Sequence, residues 1–444
     1  MTSLRKLLPR TFTAFFHRFP RSTPIQAEGI EPILEGKNVL LCAPTASGKT
    51  EAYAAPLSER LLAGKWGPMS FVMVSPTRAL ANDLKRRLEA PMLQAGVSLG
   101  RYTGEHKERR GGKFPRAVVT TPEALDSLLA RRPETLKGLR ALVLDEVHIL
   151  DGTARGDQVR LLLERLQALR KGGFQRVGAS ATVHDPAGVA SRYGLRDRIV
   201  HAPGGRKIRA RLFQGATPAD ASSHLETLAR AGFRKILCFC NSRNAVETYA
   251  SGLRNKTPFG DKVFAHHGSL AKQERERTER LFLECPAGVC FATLTLELGI
   301  DIGTVDYVLL MEPPPDVSSL LQRLGRGARR TKEARVGYVC AGSKDRVLFR
   351  VLLELASRGD LAEDPYAFRP GVLVQQALVL AGSEDHVEAS MLERILPPSI
   401  REDLAGTTME EILDAASEAE LLEKAGAGRY VLSEKADDLY MRGL

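Results

Sequence analysis

The strongest constraint on this chain is a rhythm of short apolar runs separated by longer amphipathic stretches, and the rhythm starts twice. Residues 39–42, 70–74, 117–120, 141–144 and 176–179 form runs of four or five mostly apolar residues. Runs this short and continuous suit strands buried on both faces. Between them, residues 80–88 and 159–169 carry apolar side chains at helical spacing. Strand, helix, strand at this rhythm predicts a parallel sheet covered by helices on both sides. Pro and Gly then cluster at 201–206, which reads as a linker. The rhythm resumes at 235–240, 263–266, 289–292, 307–311 and 337–340. Past about residue 363 the strand signal fades. Residues 371–381, 387–395 and 409–416 read as helices and 428–432 as a hairpin or wing, a winged-helix-like pattern. The expected class is therefore α/β: two tandem parallel-sheet domains over 1–204 and 205–366, then a small winged-helix-like domain over 367–444.

The first apolar run leads into Ala43-Pro44-Thr45-Ala46-Ser47-Gly48-Lys49-Thr50 and then into a helical pattern. In a strand–loop–helix of this kind, backbone N–H groups wrap a phosphate chain. Small residues at Ala46, Ser47 and Gly48 permit the close approach. Lys49 supplies charge to the β and γ phosphates, and the Thr50 hydroxyl suits Mg²⁺. Ala43 stands where such loops usually carry their first Gly. The run at 141–144 ends in Asp145-Glu146-Val147-His148. Ligands of α/β sheets gather beyond the carboxyl ends of the strands. Asp145 is thus expected to hold Mg²⁺ through its shell, and Glu146 to orient or deprotonate an attacking water. Together the two motifs point to hydrolysis of a Mg²⁺–nucleoside triphosphate.

Charge suggests a second partner. The chain has 64 Lys and Arg against 53 Asp and Glu, net +11. Residues 383–444 hold 15 acidic and 6 basic residues, which leaves net +20 on the first 382. A basic body suits a polyanion such as nucleic acid. The acidic tail disfavours a dominant duplex-binding role for the last domain. That domain is expected to be a brace packed on the second α/β domain, with strand guidance as the alternative. Six scattered cysteines without a C-x-x-C pair argue against a disulfide scaffold, a zinc ribbon and a four-cysteine iron–sulfur site, and fit a reducing cytoplasm. No window approaches the ~18 uncharged apolar residues of a membrane span. Before Glu28 there are five basic residues and no acidic one, a transit-peptide composition. The motif starting at once at Thr23 favours a structured first helix instead.

From about Phe19 to Arg330 the chain carries an ordered series of short motifs that resembles superfamily 2 helicases, whose core is two RecA-like domains. Thr23-Pro24-Ile25-Gln26 resembles the adenine-reading element, with Gln26 on the base edge. Ser75-Pro76-Thr77-Arg78-Ala79-Leu80 resembles motif Ia. Thr103-Gly104-Glu105 and Thr120-Thr121-Pro122-Glu123 resemble further strand contacts. Ser180-Ala181-Thr182 resembles motif III, which with His148 couples hydrolysis to nucleic acid. In the second domain Asn241-Ser242-Arg243 resembles motif IV, and His266-His267-Gly268-Ser269 the next contact loop. The segment from Leu296 to Gly303, preceded by Thr293, resembles motif V, with Gly299 and Asp301 on the nucleotide. The segment from Gln322 to Arg329 resembles motif VI. Hydroxyls and amides at Thr77, Thr121 and Ser242 suit phosphate oxygens, and Arg78 and Arg243 add charge without reading sequence. Gln322, Arg326 and Arg329 stand at i, i+4 and i+7, one face of a helix. From the second domain they are expected to reach the γ-phosphate across a cleft, and closure of that cleft would ratchet a bound strand.

The D-E-V-H box, the Gln at the start of motif VI and Leu-Glu-Leu-Gly-Ile-Asp-Ile-Gly are similar to the large helicase-related (Lhr-type) branch rather than to DEAD-box RNA helicases. Pro370-Gly-Val-Leu-Val-Gln-Gln376 is similar to the opening of that branch's winged helix. Ala328 departs from the usual Gly of motif VI. Full-length members continue into a further domain, which bears on strand separation more than on ATP hydrolysis. The resemblance implies an ATP- and Mg²⁺-using translocase on single-stranded or tailed DNA, 3′-to-5′ in polarity, with a role in repair or recombination. Oligomeric state is open, and a monomer is expected because two domains in one chain already complete one ATP site. An RNA helicase or remodeller, acting on RNA or a DNA–RNA hybrid, and an ATP-gated clamp without unwinding are the alternatives.

Overall fold

The computed structural model describes residues 2–44, 47–104, 108, 113–181, 183–202, 207–296, 303, 305–327, 333–358, 368–404 and 406–442. The first rhythm of apolar runs becomes a seven-stranded sheet of β1 (Val39–Cys42), β2 (Phe71–Val74), β3 (Leu99–Tyr102), β4 (Ala117–Thr120), β5 (Ala141–Leu144), β6 (Gln175–Ser180) and β7 (Arg198–His201). Their order is β3-β4-β2-β5-β6-β1-β7, with every pairing parallel. The second rhythm becomes β8 (Lys207–Gln214), β9 (Lys235–Phe239), β10 (Val263–His266), β11 (Gly288–Ala292), β12 (Tyr307–Leu310) and β13 (Glu333–Cys340). These pair in parallel in the order β10-β11-β9-β12-β13-β8. Both faces of each sheet are buried. On the first sheet Leu41, Met73 and Val143 enter one apolar cluster while their neighbours Leu40, Val72 and Leu142 enter another. On the second, Cys238 and Leu309 go one way and Leu237 and Val308 the other. Side chains of a strand alternate in direction, so two covered faces require the continuous apolar runs seen in the sequence.

The strands that the apolar pattern misses are β3, β7 and β8. All three are edges. Arg198 and His201 of β7 and Arg209 and Arg211 of β8 are exposed, so these strands lack the two-sided burial that makes a run apolar. The N-terminal residues are part of the first core: Leu8, Phe15 and Phe16 are fully buried. The Arg10 and Thr11 amides donate to the Glu59 carboxylate at 2.9 and 3.0 Å. This agrees with a structured first helix.

The chain divides into two compact units, one of Met1–Ala43, Ser47–Ala202 and Asp364–Leu444, the other of Pro44–Ala46 and Pro203–Glu363. The C-terminal segment thus belongs with the first α/β domain, which corrects the expectation of a brace on the second. It folds as helices Gly371–Glu384, Ala389–Ile395, Pro398–Asp403, Met409–Glu418 and Glu434–Arg442 with a hairpin of β14 (Leu422–Lys424) and β15 (Tyr430–Leu432). Val387 pairs antiparallel with Tyr430, which adds a third short strand position to the wing. Its core takes in Leu161 from the helix Ala154–Leu169. A buried polar cluster seals the contact. Arg165 donates to Asp126 at 2.6 Å and to the Gln376 carbonyl at 2.9 Å, and the amides of Gln376 and Gln158 both donate to Asp126 at 2.8 Å. Beside it Arg160 binds Asp157 at 3.1 Å and the Ser399 hydroxyl at 2.7 Å. A buried carboxylate and guanidinium are tolerated when paired and hydrogen-bonded this fully. Sequence could not foresee the docking, because Arg160, Arg165 and Gln376 each look like surface residues until their partners arrive.

Candidate nucleotide site and strand-contact loops

In a parallel sheet every strand delivers its following loop to the same edge. Along the first sheet this edge presents, in spatial order, Gly104 after β3, Thr121 after β4, Thr77 after β2, Asp145 after β5, Ser180 at the end of β6 and the phosphate loop after β1. The motifs therefore separate into two groups: the strand-contact candidates on β3, β4 and β2, and the nucleotide candidates on β5, β6 and β1.

In the nucleotide group, Gly48 caps the helix Lys49–Ala63 in the left-handed region at φ +86°. A side chain there would collide with the Gln26 amide nitrogen, so glycine is required by both backbone and space. The Gln26 amide donates to the Gly48 carbonyl at 3.2 Å, while its own carbonyl accepts from the Thr23 amide at 3.0 Å. The adenine-reading motif is thereby fastened to the phosphate loop. Lys49 is buried and donates to the Ala43 carbonyl at 2.6 Å. Burial pulls its pKa down, against the charges of Glu146 and Asp145, which hold it up. Asp145 is buried too. Burial first, and then Glu146, raises its pKa to about 7, with Arg87 and Lys49 opposing. Paired charges this perturbed in a loop cluster mark a functional site. Glu146 takes a left-handed backbone, φ +49°, an uncommon state for a non-glycine residue and one that gathers at active sites.

Within this group His148 joins the D-E-V-H box to motif III. Its Nδ1 accepts from the Ala181 amide at 3.1 Å. The ring proton is thus on Nε2, and the imidazole is neutral. Burial lowers its pKa, which favours the same state. The fully buried Ser180 hydroxyl and the Ser47 hydroxyl have no hydrogen-bond partner among the described groups. Thr45, Ala46 and Thr182 lie outside the described residues.

In the strand-contact group, Thr77 caps the helix Arg78–Gln94, its hydroxyl accepting from the Leu80 amide at 3.2 Å. Pro76 is buried and Arg78 is exposed. A Cβ on Gly104 would stand 3.1 Å from the Arg78 guanidinium, so the two meet. Thr121 and Pro122 open the helix Pro122–Arg131 and are both buried.

The second sheet repeats the arrangement. Ser242 after β9, Gly268 after β10 and Thr293 after β11 follow three adjacent strands. The Ser242 hydroxyl accepts from the Ala245 amide at 3.1 Å, as Thr77 does in the first unit. Arg243 donates to the Ser269 hydroxyl at 3.2 Å. His267 and His266 hold Glu247 and Glu279 at 2.7 and 2.9 Å, so both histidines brace the contact loop.

Motif VI differs from expectation. The helix Val317–Leu324 stops at Gly325, and Arg326 lies in the turn beyond it, its amide donating to the Arg323 carbonyl at 3.1 Å. Gln322 and Arg326 therefore do not share a helix face. Glycines at 325 and 327 make continuing the helix costly. Arg326 is buried, Gln322 is half-buried, and Arg329, Gly299 and Asp301 lie outside the described residues.

Two arginines escaped the sequence reading. Arg323 is fully buried, donates to the Asn241 side chain at 3.1 Å and lies over the Phe239 ring at 5.3 Å, tying motif VI to motif IV. Arg87, anchored on Asp83 at 2.9 Å, reaches the Thr50 hydroxyl at 3.4 Å. The only signal in the sequence was its helical spacing from motif Ia.

Tandem parallel sheets with a phosphate loop, a paired carboxylate strand end and strand-contact loops on the same edge define a superfamily 2 helicase core. Residues 23–188 match the model of the DEAD/DEAH box helicases and residues 221–331 that of the helicase conserved C-terminal domain. The chain belongs to this family. It is similar to the ATP-dependent helicase Lhr-Core protein 2 of Thermococcus barophilus, 32% identical over 74% of this chain and 43% of the relative. The ATP-dependent helicase Lhr-Core of Methanocaldococcus jannaschii is 32% identical over 76% of this chain and 44% of the relative. Among solved structures, the Mycobacterium smegmatis helicase Lhr bound to ssDNA and AMP-PNP matches with a TM-score of 0.81 and 28% identity, over 97% of this chain and 61% of that one. The chain thus spans less than half the length of those archaeal relatives.

Proposed function

We propose that this chain is a nucleic-acid-dependent ATPase that moves along single-stranded or tailed DNA. The observation that carries the proposal is the shared edge of the first sheet. There the buried Lys49, Thr50 and Asp145 and the half-buried Glu146 adjoin loops that offer hydroxyls and an exposed arginine to a phosphodiester backbone. Lys49 binds the phosphates of ATP, Gln26 fixes the purine against the loop, and Glu146 takes up a water proton at its carboxylate. His148 passes the state of the carboxylates to the Ala181 backbone. The residues fit Mg²⁺: Thr50 and Asp145 are hard oxygen donors, and among the described residues the nearby-in-sequence Ser47 hydroxyl and the Ser180 hydroxyl have no hydrogen-bond partner. An ion held by one hydroxyl and one carboxylate would be completed by phosphate and water. When bound, Mg²⁺ would neutralise phosphate charge.

Arg326, with Arg329, adds transition-state charge from the second unit. Thr77, Arg78, Gly104, Thr121, Ser242, Arg243, Gly268 and Thr293 hold the strand by its backbone, so binding tolerates any sequence. The 3′-to-5′ polarity, the part in repair or recombination, the monomeric state and the cytoplasmic setting follow the Lhr-type likeness. Among the described residues no helix is long and apolar enough to cross a membrane, and all six cysteines are free.

The test is steady-state ATPase activity without nucleic acid, with single-stranded DNA, with single-stranded RNA and with duplex. Stimulation by DNA strands is expected, with turnover lost at least ~100-fold in Lys49→Ala. Stimulation by RNA alone would move the substrate to RNA. Near-normal turnover in Lys49→Ala would overturn the assignment.

A further inference from the structure

The helix Arg78–Gln94 carries residues of both motif groups. It starts at the strand-contact residues Thr77 and Arg78 and, less than three turns on, presents Arg87 to Thr50. The Arg87 guanidinium is tied at Nε to the buried Asp83 at 2.9 Å and approaches the Thr50 hydroxyl through Nη1 at 3.4 Å. Its side chain is 44% exposed, so it has room to move while Nε stays anchored. Arg87 also acts on Asp145: its charge opposes the rise in that carboxyl's pKa. The site thus sets two acidic groups, Asp145 and Glu146, beside two basic ones, Lys49 and Arg87. A divalent ion needs the same hydroxyl and the same carboxylate, and it repels a guanidinium a few ångströms away.

Resting on the proposed nucleotide site, we propose that Arg87 is a positioning residue which holds the Thr50 hydroxyl while no metal is bound and yields it to incoming Mg²⁺. Because Arg87 belongs to the helix that begins at Thr77 and Arg78, its release is felt by the strand-contact end of that helix. Nucleotide occupancy and strand grip are then linked within the first unit alone. The link is carried by one rigid element, which is the physical form such coupling needs.

The test measures binding of a fluorescent ADP analogue as a function of Mg²⁺, together with the melting temperature of the nucleotide-free protein. Variants Arg87→Gln and Arg87→Lys are compared with the unaltered chain. Removing the competing cation is expected to lower the half-saturating Mg²⁺ about three- to ten-fold in Arg87→Gln, as befits the loss of one nearby like charge. Arg87→Lys, which keeps the charge, should fall between. The nucleotide-free melting temperature of Arg87→Gln should drop more than that of the Mg²⁺–nucleotide complex. An unchanged Mg²⁺ midpoint with both melting temperatures lowered equally would make Arg87 a helix-packing residue and overturn the inference. A raised midpoint would make it a phosphate ligand and overturn it as well. If the unaltered chain binds the analogue with normal Mg²⁺ dependence, such a failure leaves the nucleotide site standing. If the unaltered chain binds no nucleotide, the proposed function fails and this inference with it.

Discussion

The two parallel sheets share a device and differ in what they do with charge. Each ends a central strand in a hydroxyl that caps the next helix, Thr77 after β2 and Ser242 after β9. Each sets neighbouring loops beside it, as if to hold a strand backbone. On the first sheet, however, Lys49 and Asp145 are buried beside each other, whereas on the second Ser242, Arg243 and Gly268 are exposed. The fully buried arginine of the second, Arg323, holds Asn241 in place. Buried charges left to perturb one another are costly, so they persist where chemistry needs them. In the proposed function these are two grips of one kind, and buried charge is what sets one of them apart as the reaction site.

The hardest test of that contrast is Arg326, the charged motif VI residue that the second unit also buries. Arg326→Ala is expected to lower kcat about 10³-fold or more, the usual loss for an arginine that stabilises phosphoryl transfer. Nucleotide affinity should stay within a few-fold. An unchanged kcat would confine the chemistry to the first sheet and sharpen the contrast to an absolute one.

The C-terminal domain offers a second comparison, because its contact with the first unit also buries charge. There every member of the Arg165, Asp126, Gln376 and Gln158 cluster is hydrogen-bonded, while in the nucleotide group the Ser47 and Ser180 hydroxyls have no partner among the described residues. A satisfied cluster is structural; an unsatisfied one awaits a ligand. Arg165→Ala should therefore destabilise the first unit by roughly 3–5 kcal/mol, since it strands the Asp126 charge. Urea unfolding measures this. A loss below about 1 kcal/mol would mean that the C-terminal domain is docked by its apolar contacts alone.

How far the sequence revealed this follows from the same physics. Nearly every interior strand was legible to within two residues, because two-sided burial writes a continuous apolar run. The longer β13 was caught only at its C-terminal half, and β3, β7 and β8 were not caught at all, because an edge needs no such run. The phosphate loop and the D-E-V-H box were legible because backbone approach and metal binding each demand particular residues at fixed spacing. The helix face drawn through Gln322 and Arg326 was not real, since Gly325 ends the helix between them. Arg87 stayed hidden in Lys85-Arg86-Arg87, which has the look of a solvated helix face. Arg160, Arg165 and Gln376 stayed hidden because their meaning lies in partners up to 250 residues away.

The smallest effect concerns the link between the D-E-V-H box and motif III in the first unit. His148 accepts the Ala181 amide through Nδ1, and only an imidazole with a bare Nδ1 can do this. Burial holds its pKa below the ordinary 6.5, so the folded protein takes up a proton less readily than the unfolded chain. The stabilisation is therefore whole above pH 6.5 and is lost as pH falls through the depressed value. Protonation at Nδ1 also turns a donor toward the Ala181 donor and breaks the link to motif III. Stimulation of the ATPase by DNA should accordingly fall as pH is lowered from 7 towards 5. His148→Ala should show weaker stimulation, by about two- to ten-fold, as expected for a residue inside a coupling path. It should also lose most of the pH dependence in that range. If the variant keeps both its stimulation and the acid-side fall, motif III takes its signal from the first sheet by another route, and the buried histidine serves packing alone.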